Sequence, residues 1–571
     1  MTVPSSAMLD AAARSRITAD HFLALLAIGL FVLVYLLPLG ERPLWTPDET
    51  RYAEIPREML TTGDWVVPRL NGLRYFEKPP LGYWLNAASI GLLGENNFGV
   101  RLPTALAAGL TALLVLFLAK AAGVPWRSQL LGAAVYLTTA EVYLLGAFTT
   151  LDGFLTLWIT AGILAFHRAV TQSERSAGQR WAAAAGLAFA LAFLTKGFLA
   201  FVIPGLVLLP WLLWSGNFRV AMTRLWPCAA VAVLVVLPWA LAIHAREGDF
   251  WRYFIWEEHI RRFMGDNAQH EESSLYFVKL LPVLAFPWIF LLPATIAGLR
   301  VDRQTGERRE FLCLLWLWAL LPFVFFSISR GKLSTYILPC FAPFAALTAV
   351  GLRAYLESGR RRLFDYGQLV LAVLFISLLV VLLVSQQTGF PQVLYRADEK
   401  GSAVLFGAAL MAGAISCIFA ARLDTAGSKL TASVLCMIPL LATIEFVMPS
   451  TLVERNAPAR LFSRIAATVP RDAVLLSDTD VVRAVGWYFK SDDVYILSRY
   501  GELEYGLGFP DAAGRSLNPK GFRKMLADDR RRHDVVLICE ESCGEKYEKA
   551  LPPDSRRYEY GVYRVWHVPR I

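Results

Sequence analysis

Residues 22–59 read FLALLAIGLFVLVYLLPLGERPLWTPDETRYAEIPREM: nineteen residues without a charge, then eight charges in the next nineteen. The uncharged part has the length that a bilayer's hydrocarbon core demands of a helix. Runs 23–39, 102–119, 199–214 and 370–384 all lack Asp, Glu, Lys and Arg. The chain of 571 residues is 56% hydrophobic and 18% charged, against roughly 45–50% and about 25% for a soluble domain. These figures exclude disordered, collagen-like and disulfide-scaffold classes. They predict a polytopic α-helical membrane protein.

Charge changes abruptly near residue 449. Residues 449–571 hold 38 charged residues in 123, and the preceding 448 hold 65. A transmembrane domain over 1–448, with a large first external loop at 41–100, is therefore expected to precede a soluble domain over 449–571. Strands are expected at 473–476, 494–497, 535–539 and 562–567, with helices at 483–489 and 520–532, giving an α/β tail. The net charge of +9 is modest and most of the excess lies in loops between apolar runs, so no nucleic-acid partner is expected.

Thirteen spans are expected, near 22–40, 101–121, 128–147, 151–170, 181–195, 197–215, 226–244, 276–299, 310–328, 334–353, 366–386, 401–421 and 430–448. With the N-terminus cytoplasmic, the cytoplasmic connections collect Lys120, Arg127, Arg168, Arg175, Arg180, Arg219, Arg224, Arg300, Arg303, Arg308, Arg309, Arg353, Arg360–Arg362, Arg422 and Lys429. The opposite short connections hold only Lys196, Arg330, Lys332, Arg396 and Lys400. An odd span number then places the tail, loop 41–100 and loop 245–275 outside. Cys228, Cys313, Cys340, Cys417 and Cys436 lie in apolar stretches and read as core residues. Cys539 and Cys543 are spaced to pair if the tail faces an oxidising compartment, but their spacing makes no zinc pattern without further ligands.

Loop 41–100 is the most unusual stretch. Pro47 followed by Asp48 and Glu49 suits a helix start with acids at its positive end. Helical spacing then puts Asp48, Arg51, Tyr52 and Ile55 on one face. A helix merely resting at the headgroups is the plainer reading. Asn71-Gly72 signals a turn between two extended pieces. Tyr75, Glu77 and Lys78 follow, just before two prolines. Asp152, Lys196, Arg261, Arg262, Lys332 and Tyr336 lie near external span ends or in the second loop. Charges at such depths tend to line a polar cavity. Cations suit phosphate, and carboxylates suit a cationic or hydroxylated substrate.

Thr46-Pro-Asp48-Glu49-Thr-Arg51-Tyr52 and Phe76-Glu77-Lys78-Pro79-Pro80-Leu81-Gly-Tyr83-Trp84 resemble the first-loop signature of the GT-C glycosyltransferases, in the protein O-mannosyltransferase-like branch. Leu194-Thr-Lys196-Gly197 and Lys332-Leu-Ser-Thr-Tyr336-Ile-Leu-Pro339 resemble later motifs of that branch. Within it, the chain is most similar to the lipid A aminoarabinose transferases. The resemblance implies a GT-C fold with about thirteen transmembrane helices and an external α/β domain. It also implies an inverting transferase in the bacterial inner membrane, moving 4-amino-4-deoxy-L-arabinose from undecaprenyl phosphate to a lipid A phosphate on the periplasmic face. Polymyxin resistance would be the physiological outcome. By its match to the family's loop acid, Asp48 is the central carboxylate, with Glu77 assisting. Such a donor's phosphate leaves as an anion that fixed cations should stabilise, and Lys78, Arg261 or Arg262, Lys332 and Tyr336 are nominated for that role. Arg51, Tyr52, Tyr75, Asp152 and Lys196 are further substrate-binding candidates. Glu77 with His259 would suit a zinc ion, although two ligands do not make a site. The partners expected are the lipid-linked donor, lipid A and bilayer lipids, with the protein monomeric. A mannosyl-type transferase acting on a hydroxyl, a lipid or sugar transporter, and a scaffold anchoring the tail are the alternatives. A transporter would be expected to show repeats and midplane charges, which the sequence lacks.

Overall fold

The computed structural model describes residues 21–261, 271–302, 306–497 and 501–571, apart from the His259 side chain. Among these residues ten helices are long and apolar enough to cross a membrane, or eleven if the bent pair Tyr276–Leu284 and Trp288–Val301 forms one span. The protein is thus a multi-pass membrane protein with a C-terminal sheet domain. Each of the thirteen expected segments contains helix, but thirteen spans are not reached among the described residues, and several segments are broken; the last divides into Ala426–Leu435 and Ile438–Thr443. The 128–147 segment divides into Trp126–Leu137 and Ala140–Gly146. At the break, the Thr138 and Thr139 hydroxyls donate to the Ala134 and Val135 carbonyls, the back-bonding that bends helices. The 276–299 segment turns by 95° between its two parts, where Pro287 supplies no N–H. Leu199–Ser215 has 17 residues and contains Pro204 and Pro210.

Loop 41–100 is folded throughout. Asp48–Thr62 is a helix, and strands β1 (Arg69–Leu70) and β2 (Leu73–Arg74) form a hairpin. Its Asn71-Gly72 turn has φ of 52° and 71°, the left-handed pair that a two-residue hairpin turn requires. An additional apolar helix, Leu81–Leu93, follows. The Asp48–Thr62 helix does not rest at the headgroups. Glu49, Glu54, Arg57 and Glu58 are all buried.

Glu49 fixes where this helix sits. Its carboxylate meets Arg101 Nε at 2.6 Å and Arg42 Nη1 at 2.7 Å, and accepts the Trp45 amide at 2.9 Å. Arg101 also donates to the carbonyls of Leu39, Arg42 and Pro43. Arg42 reaches Glu445 at 2.9 Å, beside the last membrane helix. Burial alone would raise the Glu49 carboxyl, but the charges of Arg101 and Arg42 outweigh it and hold it down to about 2. Glu58 is the opposite case. Burial and the neighbouring charge of Glu54 push its carboxyl well above the usual range, against hydrogen bonds from the Gly72 and Asn71 amides.

In the tail, β3 (Val474–Asp478), β4 (Val494–Leu497), β5 (Ser516–Leu517), β6 (Val535–Glu540), β7 (Arg556–Tyr560) and β8 (Tyr563–Val568) form one sheet in the order β5-β4-β3-β6-β8-β7. β3 runs parallel to both β4 and β6, while β8 is antiparallel to β6 and β7. The four expected strands are present, and β5 and β7 flank them at the edges. The tail docks on loop 41–100. Arg74 pairs with Asp511 at 2.6 Å, Thr46 N donates to Asn456 O at 2.9 Å, and Arg515 donates to Asn71 O at 3.1 Å. Helix Val482–Phe489 approaches so closely that a Cβ on Gly486 would collide with the Glu54 carboxylate and the Asn71 amide.

Arg101→Ala leaves Glu49 buried with one cation fewer. It is expected to lower unfolding free energy by about 3–5 kcal/mol, read as a thermal midpoint in detergent. The two acids give opposite pH signatures. Glu49 contributes fully above its unfolded pKa of about 4.3 and is lost as pH falls through about 2. Glu58 contributes fully below the unfolded value and loses that contribution as pH rises. Glu58→Gln should therefore gain thermal midpoint relative to wild type between pH 5 and pH 8.

Candidate active site

The helix Asp48–Thr62 starts at Asp48, and adjacent side chains leave it about 100° apart. Glu49 therefore turns into the core and Asp48 turns the other way, with its side chain 48% exposed. One turn on, Arg51 Nη2 lies 3.3 Å from Asp48 Oδ1. The Tyr52 ring stacks on Tyr83 with centroids 6.1 Å apart. The expected shared face is thus present at Asp48, Arg51 and Tyr52.

The extended segment after β2 brings Tyr75 and Glu77 to one side, two residues apart. The Tyr75 hydroxyl is 3.0 Å from Glu77 Oε2 and 3.1 Å from Glu502 Oε2. Glu502 belongs to the tail. It also pairs with Arg51 at 3.1 Å and with Arg483. Burial would raise the Glu502 carboxyl, but Arg51 and Arg483, with hydrogen bonds from Arg483 and Tyr75, hold it below the usual carboxylate range. Lys78 Nζ lies 3.2 Å from Glu258 and 3.9 Å from a Glu77 carboxylate oxygen.

Two membrane helices end at the same place. Asp152 is in the first turn of Leu151–Thr171, and Lys196 is in the last turn of Arg175–Lys196. Each charge suits its helix end, and they meet at 2.6 Å. Lys196 Nζ also lies 5.3 Å from the Tyr336 ring centroid. Tyr52 ties this layer to the loop. Burial pushes its phenol well up; Arg51 opposes the shift, and Asp48, Asp152 and Glu77 add to it. Asp48, Arg51, Tyr52, Tyr75, Glu77, Lys78, Asp152, Lys196 and Tyr336 therefore form one linked cluster.

Other expected residues are placed differently. Lys332 is buried and gives its ammonium to the backbone carbonyls of Glu272, Ser329 and Arg330, so its charge is spent on a loop rather than offered to a phosphate. Arg261 is 71% exposed and pairs with Glu257 at 2.9 Å, one turn away on its own helix. Arg262 and the His259 side chain lie outside the described residues, so the Glu77–His259 zinc pair has only its Glu77 half in view. That half accepts from Tyr75 and adjoins Lys78.

Glu502, Arg483, Glu258, Tyr83 and Glu141 complete the surroundings; Tyr83 stands in the first-loop motif and Glu258 in the charged second loop, while Glu502, Arg483 and Glu141 were not singled out in the sequence. Glu502 is one acid among the tail's eighteen, and no motif marks it. Glu141 lies beside Asp152 and Ser334. Arg51 Nε, the Tyr83 hydroxyl and Glu141 Oε1 are buried polar atoms with no hydrogen-bond partner among the described residues. Orphans of this kind are costly unless a ligand satisfies them. The cluster as a whole holds cations and carboxylates in near balance. It offers bonds to an anion and to a cation at once.

Residues 21–254 match the dolichyl-phosphate-mannose-protein mannosyltransferase family, and residues 453–567 match the family described as arabinosyl transferase ArnT, C-terminal domain. The undecaprenyl phosphate-alpha-4-amino-4-deoxy-L-arabinose arabinosyl transferase of Aeromonas hydrophila is 37% identical over 512 residues, covering 89% of this chain and 92% of its own length. The enzyme of the same name from Erwinia tasmaniensis is 37% identical over 552 residues, covering 95% and 98%. The crystal structure of ArnT from Cupriavidus metallidurans in the apo state superposes with a TM-score of 0.78 at 22% identity, covering 96% of this chain and 98% of that chain. Its form bound to undecaprenyl phosphate superposes with a TM-score of 0.76 at 22% identity, covering 95% and 97%.

Glu502→Gln leaves Arg51 and Arg483 buried beside a neutral amide. It should cost about 3–5 kcal/mol of stability. Tyr75→Phe, which removes only hydroxyl bonds, should cost about 1–2 kcal/mol. Thermal midpoints of the two variants compared with wild type check both values.

Proposed function

This chain belongs to the undecaprenyl phosphate-aminoarabinose arabinosyl transferase family and is a glycosyltransferase, and we propose that it transfers 4-amino-4-deoxy-L-arabinose, with inversion, from undecaprenyl phosphate to a lipid A phosphate. The observation that carries this reading is the mixed charge of the cluster, four cations among five carboxylates. Arg51, Lys78, Lys196 and Arg483 are each held by a carboxylate among Asp48, Glu77, Glu258, Asp152 and Glu502. A lipid-phosphate-linked amino sugar carries one phosphodiester charge and one ammonium, so it is itself balanced. A neutral hexose would leave the carboxylates unused.

In this reading Lys78 and Lys196 stabilise the anion that grows on the departing phosphate. Each already has a partner, so a bound phosphate shares its cation with Glu258 or Asp152. Tyr336, beside Lys196, and Tyr52 border the sugar. Asp48 is the carboxylate most free to turn, and it holds the sugar ammonium. An ionised acceptor phosphate needs no base, so Asp48 orients rather than takes a proton. Transfer to a hydroxyl would instead require it as a base. Glu77 and His259 are the residues that would hold a zinc ion, and such an ion would supply Lewis-acid chemistry. The reaction is placed on the periplasmic face of the inner membrane, with the N-terminus cytoplasmic. The basic bias of the opposite loops and the docking of the tail on loop 41–100 support that orientation. The acceptor and the working monomer belong to the same proposal.

The test is transfer in vitro from polyprenyl-phosphate aminoarabinose to lipid A, followed by mass. Asp48→Asn, still folded, is expected to lower the rate about 10²–10³-fold. An N-acetylated donor, which has no ammonium, should be a poor substrate for wild type and should lose little further in Asp48→Asn. Sugar appearing on a protein or glycan hydroxyl, with lipid A untouched, would overturn the acceptor and return Asp48 to the role of base.

A further inference from the structure

Away from the cluster beside the membrane, the tail gathers three ligating side chains that the mechanism does not use. β3 and β6 are adjacent and parallel, with Ser477 opposite Ile538. One step further, at the carboxyl ends of both strands, stand Asp478 and Cys539. Helix Glu541–Glu548 follows β6 directly and brings Cys543 back over Cys539. One carboxylate oxygen of Asp478 and the two sulfurs all lie within 4.8 Å of one another. Asp478 and Cys539 are buried and Cys543 is half-buried, and both cysteines are free thiols. Among the described residues this is the one group of three His, Cys, Asp or Glu side chains close enough to share an ion.

We propose that Asp478, Cys539 and Cys543 bind a thiophilic divalent cation, zinc in the first instance. The sequence lacked a partner for the Cys-Glu-Glu-Ser-Cys spacing, and the fold supplies one from 61 residues upstream. Two thiolates and a carboxylate suit zinc, and a water would take the fourth position. The carboxylate is already oriented. Asp478 Oδ1 accepts the Val481 amide at 3.0 Å and Oδ2 accepts the Glu540 amide at 2.8 Å. Each oxygen keeps a lone pair for the metal.

The surrounding charge asks for a cation. Asp480 and Glu540 lie near Asp478 and add negative charge beside the three ligands. Arg564, which faces Cys539 across the β6–β8 ladder, gives its guanidinium to Glu541 and to the Gly561 and Tyr563 carbonyls. Binding would release both thiol protons to solvent. The ion would tie the end of β3 to β6 and the following helix. The next residues, Thr479 and Asp480, offer the carbonyls that hold Arg483, and Arg483 holds Glu502. The metal would thus steady the turn that presents Glu502 without touching substrate.

The experiment uses the full chain in detergent, stripped with a chelator, kept reduced, and titrated with zinc alone. One tight, thiolate-bound zinc per chain is expected beyond any ion held at Glu77, with cobalt(II) giving a thiolate charge-transfer band. Cys543→Ser and Asp478→Asn should lose that zinc at concentrations that saturate wild type while keeping a cooperative melt. Glu77→Ala should retain it, which separates this site from the one beside the membrane. No zinc uptake by reduced wild type, or full uptake by Cys543→Ser, would overturn the proposal. So would a Cys539–Cys543 disulfide that forms in preference to metal uptake.

Discussion

Everything on the loop side of this membrane protein depends on one buried carboxylate. Glu49 joins the end of the first span, the start of the first-loop helix and the outer end of the second span through Arg42 and Arg101. Arg42 extends the link to Glu445, so the first and last membrane helices share one knot of four charges. Such a knot is weak evidence for net stability, since desolvation offsets much of the attraction. Its geometric effect is strong, because no member can move without stranding another charge. Asp48, Arg51 and Tyr52 inherit their positions from it.

On that anchored helix the cluster is assembled in layers. Lys196 and Asp152 come from helix ends, Tyr75, Glu77 and Lys78 from an extended segment, and Glu502 and Arg483 from the tail. Each layer balances its own charges. This lets the charges stay buried before any ligand arrives, and a ligand of matching polarity can then exchange partners with little net change in charge.

Much of this was legible in the residues. Uncharged runs set by bilayer thickness gave the helices, and Asn71-Gly72 gave the hairpin turn. The exceptions have local causes. Hydropathy does not register two consecutive threonine hydroxyls back-bonding at 138–139, nor the missing amide of Pro287. Among the candidate residues, spacing joined Asp48, Arg51 and Tyr52 correctly. It could not tell that Glu49, next door, is a structural anchor, because helical phase matters only once a core exists on one side. Lys332 read as a phosphate cation because its charge was visible and the carbonyls that consume it were not. Glu502 could not be read at all. Arg51 and Tyr75 lie far off in sequence, Arg483 is 19 residues upstream, and nothing local distinguishes it from the tail's other acids. The tail, expected as a soluble α/β domain, contributes side chains to the cluster.

The distance along the chain between Glu502 and its partners has a consequence for biogenesis. Tyr75 and Glu502 are 427 residues apart, so the ribosome completes nearly all the membrane helices before that acid exists. Until then Arg51 has only the partly exposed Asp48 to balance it among the described residues, and the cluster is unfinished. The newly inserted membrane part therefore lacks the tail's share of these charges. That share arrives in a single late step, when the tail folds and docks. A chain cut short by premature termination would leave Arg51 short of its second carboxylate.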